Sequence, residues 1–202
     1  MDESEAIQRV RRRDWSGLED LIDRYQLRAV RAAFLVTGNR QESEDIVIEA
    51  FYRAWERIDQ FDGSRPFAPW FFTLVMNAAR RSASKATRYE ELPATDPQDA
   101  TTSILLDSDP EVALIRSENR EEVRCALARL PLEQRIAIVQ QYFLDWTVEQ
   151  IADLADRPVG TIKWRLSQAR RRLRDWLGQF QENRIVSGQD KERSQDVSRG
   201  MD

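Results

Sequence analysis

Apolar residues recur every three to four positions along much of the N-terminal part of the chain, a spacing typical of amphipathic helices. Between residues 4 and 36 the spacing predicts one long helix, whose apolar positions are Trp15, Leu18, Leu21, Ile22, Tyr25 and Ala29. A second helix is predicted from about Glu42 to Ile58, after a turn at Gly38-Asn39. A third is predicted from about Pro69 to Ala86, because proline suits the first turn of a helix.

The helical spacing stops at about Tyr89, and it resumes at about Glu111. The interval is rich in Asp, Ser, Thr, Ala and Pro, a composition typical of flexible linkers. Further helices are predicted over 111–130, 132–143, 147–155 and 158–177, with a capping box from Thr147 to Gln150. The segment after Phe180 is polar, and we expect it to be disordered.

These patterns predict an all-α chain made of two small helical domains joined by a flexible linker. The first domain covers 1–88 and the acidic linker 89–110, while the second domain covers 111–180 and the polar tail 181–202. Composition agrees, since 33% charged and 41% hydrophobic residues suit a helix-rich globular chain of 202 residues.

Residue counts exclude several kinds of chemistry. The chain has no histidine, which removes Ser-His-Asp catalysis and histidine metal sites. Its one cysteine, Cys125, allows neither an internal disulfide nor a cysteine-rich zinc site. With no GxxxxGK[ST] phosphate loop either, we expect no enzyme activity, no catalytic residue, no metal, no cofactor and no small-molecule substrate.

The sequence shows no signal for membrane insertion. Its most apolar stretch, residues 70–76, is far shorter than the ~18 residues that a spanning helix needs. The N-terminus has no apolar signal-peptide core, so we expect a cytoplasmic protein.

Charge is distributed unevenly along the chain, although the net charge is only −4. Residues 91–120 carry two basic and seven acidic side chains, whereas residues 157–174 carry seven basic side chains and no acidic one. A local basic cluster is the usual electrostatic signature of nucleic-acid binding, whatever the total charge.

The two helices predicted over 147–155 and 158–177 have the proportions of a helix-turn-helix unit. On a helical wheel one side of the second helix is apolar: Ile162, Leu166, Ala169, Leu173 and Trp176. The opposite side presents Trp164, Ser167, Gln168 and Arg171, flanked by Lys163, Arg165 and Arg174. The basic side chains of this face can neutralise DNA phosphates, and its Gln and Arg side chains can form hydrogen bonds to base edges. A merely solvated basic face, or Trp164 packed on the other domain, are the alternatives.

The predicted 42–58 helix also has two different sides. Val47, Ala50, Phe51, Ala54, Ile58 and Trp55 form its apolar side. Asp45, Glu49, Tyr52 and Glu56 form a stripe on the other side, suited to a basic partner surface or simply solvated. The third predicted helix combines aromatics, Phe67, Trp70, Phe71 and Phe72, with a polar, basic end at Asn77, Arg80, Arg81, Lys85 and Arg88. We expect the aromatics in the core, since large apolar side chains are usually buried, and base stacking is the alternative. The basic end is a second possible nucleic-acid surface.

Three blocks of the sequence together resemble the extracytoplasmic-function sigma factors, small two-domain members of the sigma-70 family. EDIVIEAFYRAWE at 44–56 resembles region 2.2, and FDGSRPFAPWFFTLVMNAARR at 61–81 resembles regions 2.3 and 2.4. Residues 127–174, which include PVGTIKWRLSQAR, resemble region 4. The resemblance implies a promoter-specificity subunit of bacterial RNA polymerase.

The resemblance also implies roles for individual residues. The core polymerase surface would comprise Asp45, Ile48, Glu49, Tyr52 and Glu56, with Ile48 replacing the usual glutamine. The −10 element would meet Asp62, Gly63, Ser64, Asn77, Arg80, Arg81 and Lys85, and the 62–64 loop would hold a flipped base. The −35 element would meet Arg157, Thr161, Lys163, Trp164, Arg165, Ser167, Gln168 and Arg171.

Some positions depart from the family pattern, and some partners stay open. Arg81 stands where many members have an acid, Trp164 replaces a common serine, and Gln168 replaces an arginine of some members. The resemblance further implies an anti-sigma factor covering both domains, although no residue identifies one. Two rival hypotheses are a helix-turn-helix regulator that does not bind polymerase and a decoy that binds an anti-sigma factor but no DNA.

Overall fold

The computed structural model describes the backbone of residues 2–89 and 121–178, and the side chains of 2–86 and 121–178. Most of the predicted linker 89–110, the first part of the helix predicted from residue 111 and the tail 181–202 lie outside the described residues. The domain boundaries at these segments therefore stay predictions.

Four helices build the N-terminal half: α1 (Glu3–Arg11), α2 (Trp15–Thr37), α3 (Arg40–Arg57) and α4 (Phe67–Tyr89). A 3₁₀ turn, Ile58–Gln60, follows α3 directly. Gly38 ends α2 in the left-handed conformation, with φ of 74°, and Asn39 caps α3 by accepting a hydrogen bond from the backbone N–H of Glu42. Both helix ends thus use local chemistry that the Gly-Asn pair provides.

The C-terminal half is built of four shorter segments and one long helix. Residues 121–128 are helical (α5), followed by α6 (Leu132–Ile138), a π-helical turn (Val139–Phe143), α7 (Val148–Ala155) and a helix over 159–178 (α8). The predicted capping box is confirmed, since Thr147 and Gln150 exchange both hydrogen bonds. Within the described ranges the chain is helical and turn structure only, which confirms the all-α prediction.

The single helix predicted over residues 4–36 was wrong. The chain turns between α1 and α2, where Arg13 adopts a left-handed φ of 62° and Asp14 caps α2. Arg13 is held there by distant partners, because its guanidinium donates to the carbonyl of Trp55 at 2.7 Å and pairs with Asp59 at 3.1 Å. The turn lets α1 fold back onto α2, with Gly17 providing the close approach.

Aromatic side chains fill the core of the N-terminal half. Phe67, Phe71 and Phe72 of α4 are buried, as the sequence predicted, and their rings contact Tyr25 of α2. Phe51 of α3 lies against Phe71, with ring centroids 4.4 Å apart. This packing fixes α4, so that its polar side faces outward and toward the C-terminal half.

The two halves contact each other in the structure. Helix α2 packs against α6 and the π-helical turn, and α4 packs against α6. One continuous apolar cluster includes residues from both halves. Arg28 of α2 donates to the carbonyl of Phe143 at 2.9 Å and pairs with Asp145 at 3.0 Å. Arg135 of α6 donates to the carbonyl of Val36 at 2.7 Å. In the part of the chain that the structure describes, no helix combines the length and apolarity needed to cross a membrane.

Candidate nucleic-acid and polymerase interfaces

The outer side of α3 carries the acidic stripe that the sequence predicted. Asp45, Ile48, Glu49, Tyr52 and Glu56 are all exposed, and the opposite side of the helix is buried against α2 and α4. Ile48 is 66% exposed and Tyr52 is 59% exposed, so apolar and aromatic surface lies among the carboxylates. The Tyr52 hydroxyl donates to Glu56, which raises the pKa of Tyr52. The face combines negative charge, which suits a basic partner surface, with exposed aromatic area of the kind enriched at protein interfaces.

The loop between α3 and α4 is braced by its own carboxylate. Asp62 accepts hydrogen bonds from the backbone N–H of Ser64 at 3.0 Å and from its hydroxyl at 2.7 Å. These two bonds, with the charges of Arg65 and Arg11, hold the pKa of Asp62 below its ordinary value. Asp62, Gly63 and Ser64 are exposed, so the loop offers an ordered polar surface at the start of α4.

The polar side of α4 does not lie beside this loop. Asn77, Arg81 and Lys85 follow one another at four-residue steps and are exposed, which places them on one stripe of the helix. Asn77 lies ten residues after the first residue of α4, or about 15 Å along the axis. The predicted −10 residues therefore form two separate surfaces, the loop and the stripe, on the same domain.

Helix α8 presents the basic face that the wheel predicted. Ile162, Leu166 and Ala169 are buried, whereas the Trp164 side chain is 59% exposed. Arg157, Lys163, Ser167 and Arg171 are exposed, while Thr161 and Gln168 are half-buried. The Gln168 side-chain oxygen accepts a hydrogen bond from Arg171 at 2.6 Å, so these two polar side chains act as a pair.

Two predicted DNA-binding arginines instead meet at one carboxylate in this structure. Glu133 of α6 pairs with Arg80 of α4 at 2.7 Å and with Arg165 of α8 at 2.8 Å. Arg165 is largely covered, with 18% of its side chain exposed. Asn77, Arg80, Glu133 and Arg165 line one cleft between the two halves. Their predicted contacts with DNA stay predictions.

Sequence reasoning missed the residues that join these surfaces to the rest of the fold. Glu133 was not singled out, because a lone acid in a short amphipathic helix gives no periodic signal. Arg11 was missed for a similar reason, although its guanidinium donates to the carbonyl of Phe61 at 2.6 Å. Both contacts join residues about fifty positions apart, and one-dimensional patterns do not encode them.

Comparison with protein-family models identifies both halves of the chain. The model of "Sigma-70 region 2" matches residues 21–89, and the model of "Sigma-70, region 4" matches residues 120–173. The first match contains α3, the 62–64 loop and α4, and the second contains α7 and most of α8.

Curated relatives carry both halves in one chain. "ECF RNA polymerase sigma factor SigW" of Bacillus subtilis is 30% identical over 85% of this chain and 94% of its own length. "ECF RNA polymerase sigma factor SigL" of Mycobacterium tuberculosis is 33% identical over 71% of this chain and 79% of its own length. "ECF RNA polymerase sigma-E factor" of Haemophilus influenzae is 29% identical over 81% and 89%.

Two solved structures share the fold, both with a TM-score of 0.61. One is "CnrH in complex with the cytosolic domain of CnrY", 21% identical over 87% of this chain and 97% of that one. The other is the "sigma factor RpoE in complex with the anti-sigma factor NepR" from Bartonella quintana, 22% identical over 79% and 98%. With the region 2 and region 4 matches and the relatives above, the chain belongs to the extracytoplasmic-function sigma factors of the sigma-70 family.

Proposed function

We propose that this chain binds core RNA polymerase and directs it to promoters through −10 and −35 elements. One observation carries the proposal: a single chain of this family presents an exposed acidic face on α3 and an exposed basic face on α8, with no acidic residue between Arg157 and Arg174. The two faces suit partners of opposite charge, a basic protein surface and DNA.

The α3 face is the proposed polymerase contact. Asp45 and Glu49 lie one helical turn apart and can meet basic side chains of the polymerase largest subunit. Glu49 also pairs with Arg53 on its own helix, so that ion pair has to open or be shared when the partner binds. Ile48 and Tyr52 are exposed, and binding to the polymerase would remove their apolar area from water.

The N-terminal half also holds the proposed −10 surfaces. The braced 62–64 loop would receive a base extruded from the duplex, with hydrogen-bonding groups already in place. Asn77, Arg81 and Lys85 would track the neighbouring backbone, because one amide and two cations suit phosphates and base edges. Arg80 would join them once it leaves Glu133.

The C-terminal half is the proposed −35 reader. Helix α8 would enter the major groove with Lys163, Trp164, Ser167 and Gln168 toward base edges. Arg157 and Arg171 would contact phosphates, Thr161 would sit at the edge of the contact, and Arg165 would join after leaving Glu133. The segment between the two halves tethers both contacts and so raises the effective concentration of the second.

The remaining parts of the proposal concern place and regulation. The chain would work in the cytoplasm, as a transcription initiation factor with no catalytic step, cofactor or small-molecule substrate of its own. An anti-sigma factor would compete with polymerase, a possibility supported by the anti-sigma complex of the Bartonella quintana relative.

The docking claim can be tested by reversing charge on α3. We expect Asp45→Lys combined with Glu49→Lys to weaken binding to purified core polymerase at least tenfold, since two attractive contacts become repulsive. Affinity is measured by fluorescence with labelled full-length protein. Binding of the variant to DNA through α8 should not change.

A matched control is available on α2. Glu19 and Asp23 are also exposed carboxylates four residues apart, on a helix with no proposed polymerase contact. Glu19→Lys combined with Asp23→Lys makes the same change in net charge and should leave core affinity within about twofold. Equal losses from both double variants, or none from the α3 variant, would contradict the docking assignment.

A further inference from the structure

The N-terminal helix α1 makes contacts that the proposed function has not used. It lies outside the region 2 family match, which begins at residue 21. Its last residue, Arg11, reaches the loop between α3 and α4, fifty residues along the chain. This loop is the proposed receptor of the extruded base, so any residue that fixes its shape bears on promoter opening.

Arg11 contacts the backbone of the loop through a hydrogen bond and through close packing. Its Nη2 donates to the carbonyl oxygen of Phe61 at 2.6 Å. A β-carbon placed on Gly63 would lie 3.3 Å from Nη2 and 3.7 Å from Cζ, so the guanidinium lies directly against the Gly63 backbone. A hydrogen bond from a cationic donor to a backbone carbonyl is stronger than one between two neutral groups.

The remaining loop contacts complete a frame in which Arg11 is the link to another helix. Phe61 is anchored by its ring, which is buried against Phe67 and Trp70. On the solvent side, the Asp62 carboxylate bonds Ser64. Arg11 contacts the backbone at Phe61 and Gly63, and so connects the buried Phe61 ring with the Asp62–Ser64 hydrogen bonds. Its positive charge also favours the ionised form of Asp62, which accepts those bonds.

A second arginine fixes the segment just before the loop. Arg13 donates to the carbonyl of Trp55 and pairs with Asp59, and its guanidinium lies 5.7 Å from the Trp55 ring centroid. The end of α3 and the 3₁₀ turn are thereby held to the same α1–α2 turn. Arg11 and Arg13 together bind three groups at or before the N-terminal end of the loop: the carbonyls of Trp55 and Phe61 and the carboxylate of Asp59.

We infer that Arg11 is a positioning residue for base capture: its guanidinium holds the 61–64 loop in the shape that receives the extruded −10 base. The inference rests on the proposed function of the loop. Arg11 does not touch the base; it acts through the Phe61 carbonyl and the Gly63 backbone. Loss of Arg11 therefore removes no direct contact with DNA. It reduces the increase in the rate of promoter opening that capture of the base provides.

The experiment pairs a change in Arg11 with a change in the base. Holoenzyme is assembled from core polymerase and full-length protein, on a promoter selected from a random pool by transcription. Opening is followed by permanganate reactivity of unpaired thymines, on this promoter and on versions with one abasic site at each −10 position in turn. The position where the abasic site slows wild-type opening most is the captured base.

We expect Arg11→Gln to slow opening about tenfold on the intact promoter, the loss expected for one charge-assisted hydrogen bond. On the promoter lacking the captured base, the same variant should open within about twofold of wild type, because the loop has no base to hold. Arg11→Lys, which keeps the positive charge and N–H donors for the Phe61 carbonyl, should recover part of the loss. Arg12→Gln, an exposed neighbour, is the matched control and should behave as wild type on both promoters.

The outcomes separate the inference from the proposed function. If wild-type opening is insensitive to every abasic site, the loop does not capture a base and the proposed function of the loop fails. If wild type is sensitive and Arg11→Gln slows opening equally on both promoters, Arg11 is structural and the inference is overturned. If Arg11→Gln lowers the melting temperature markedly, Arg11→Lys is the deciding variant: retained folding with a base-dependent loss supports positioning, and a base-independent loss overturns it.

Discussion

At the scale of single residues, the chain uses one small arrangement twice. Asp14 and Asp62 each accept hydrogen bonds from the hydroxyl and the backbone N–H of the serine two positions later. In both cases these bonds hold the pKa of the carboxyl below its ordinary value. One arrangement caps α2 and the other braces the proposed base-binding loop, so the first serves as an internal reference for the second.

Removing the Ser64 hydroxyl should raise the pKa of Asp62 toward its ordinary value, because the largest stabilising contact of the carboxylate is lost. The lowered pKa means that the brace is intact at neutral pH and is lost only as pH falls through that value. In Ser64→Ala the loss should therefore begin at a higher pH. The carboxyl carbon shifts of Asp62 and Asp14, followed by NMR against pH, measure both groups at once.

Ser16→Ala is the reciprocal control, since it should move the pKa of Asp14 and leave that of Asp62 in place. A Ser64→Ala variant in which the Asp62 pKa does not change would show that the brace in the loop is not formed in solution.

On α8, two polar residues should differ in what they do for DNA binding. Gln168 is paired with Arg171 on the exposed face, whereas Arg174 is an exposed cation near the end of the helix. We expect Gln168→Ala to change which −35 sequences are preferred. Arg174→Ala should instead weaken binding evenly over all sequences and reduce the salt slope by about one.

Binding of both variants to a library of −35 sequences at several salt concentrations distinguishes these effects. Uniform weakening by both substitutions would remove Gln168 from the residues that read bases.

At the scale of helices, the pattern of the sequence predicted the sides of each element better than its ends. The apolar side of α3 and the buried stripe of α8 lie where the three- and four-residue spacing places them. The Thr147 capping box was also predictable, because its two hydrogen bonds are local. Spacing and capping are properties of neighbouring residues, and they survive in the folded chain.

Helix ends that depend on distant residues could not be predicted. The α1–α2 turn has no glycine or proline, and Arg12, Arg13 and Asp14 continue an acceptable helical pattern. The turn is fixed by the contacts of Arg13 with Trp55 and Asp59, more than forty residues away. The change to a π-helical turn after α6 could not be predicted either, since its sequence, VQQYF, contains no glycine or proline. We have no local physical reason for that turn.

Two glycines should respond in opposite ways to substitution by alanine. A β-carbon on Gly17 would lie 2.4 Å from the carbonyl oxygen of Ala6, so Gly17→Ala must push α1 away from α2. We expect a loss of about 1–3 kcal/mol in the free energy of unfolding. Gly160, in the first turn of α8, has no heavy atom within 4 Å of the added carbon, and Gly160→Ala should stabilise by up to about 1 kcal/mol.

Urea unfolding followed by circular dichroism measures both variants against wild type. Equal effects of the two substitutions would mean that α1 does not pack on α2 as closely as the structure shows.

At the scale of the whole molecule, Glu133 joins the two halves through their proposed DNA surfaces. Its carboxylate pairs with Arg80 on one side and Arg165 on the other. Both arginines are proposed to bind promoter DNA, so phosphates and Glu133 compete for the same guanidiniums. The contacts of Arg28 and Arg135 lie elsewhere in the interface and do not involve proposed DNA-binding residues.

Glu133→Gln should therefore shift the chain toward arrangements in which the halves are apart. The substitution keeps the shape of the side chain and removes the charge. Since only the Arg80 ion pair crosses between the halves, its loss should change the equilibrium by roughly two- to fivefold. Single-molecule energy transfer between dyes at exposed positions 84 and 175, with Cys125 replaced by alanine, reports the distance. Glu149→Gln, an exposed acid on α7, is the control.

Added salt should separate the halves of wild type and have less effect on the Glu133→Gln variant, because the screened attraction is already gone. If both proteins respond equally to salt, the Glu133–Arg80 ion pair does not hold the two halves together.

Whether this chain gives RNA polymerase its promoter specificity is decided by transcription from a pool of random promoter sequences. Purified core polymerase is used with and without the full-length protein, and the transcribed templates are sequenced. We predict transcripts that require the protein, from templates sharing a pair of upstream motifs near −10 and −35, with the −35 motif altered by Gln168→Ala. A folded protein that yields no dependent transcripts, or transcripts with no shared motifs, would show that the chain does not act as a promoter-specificity subunit.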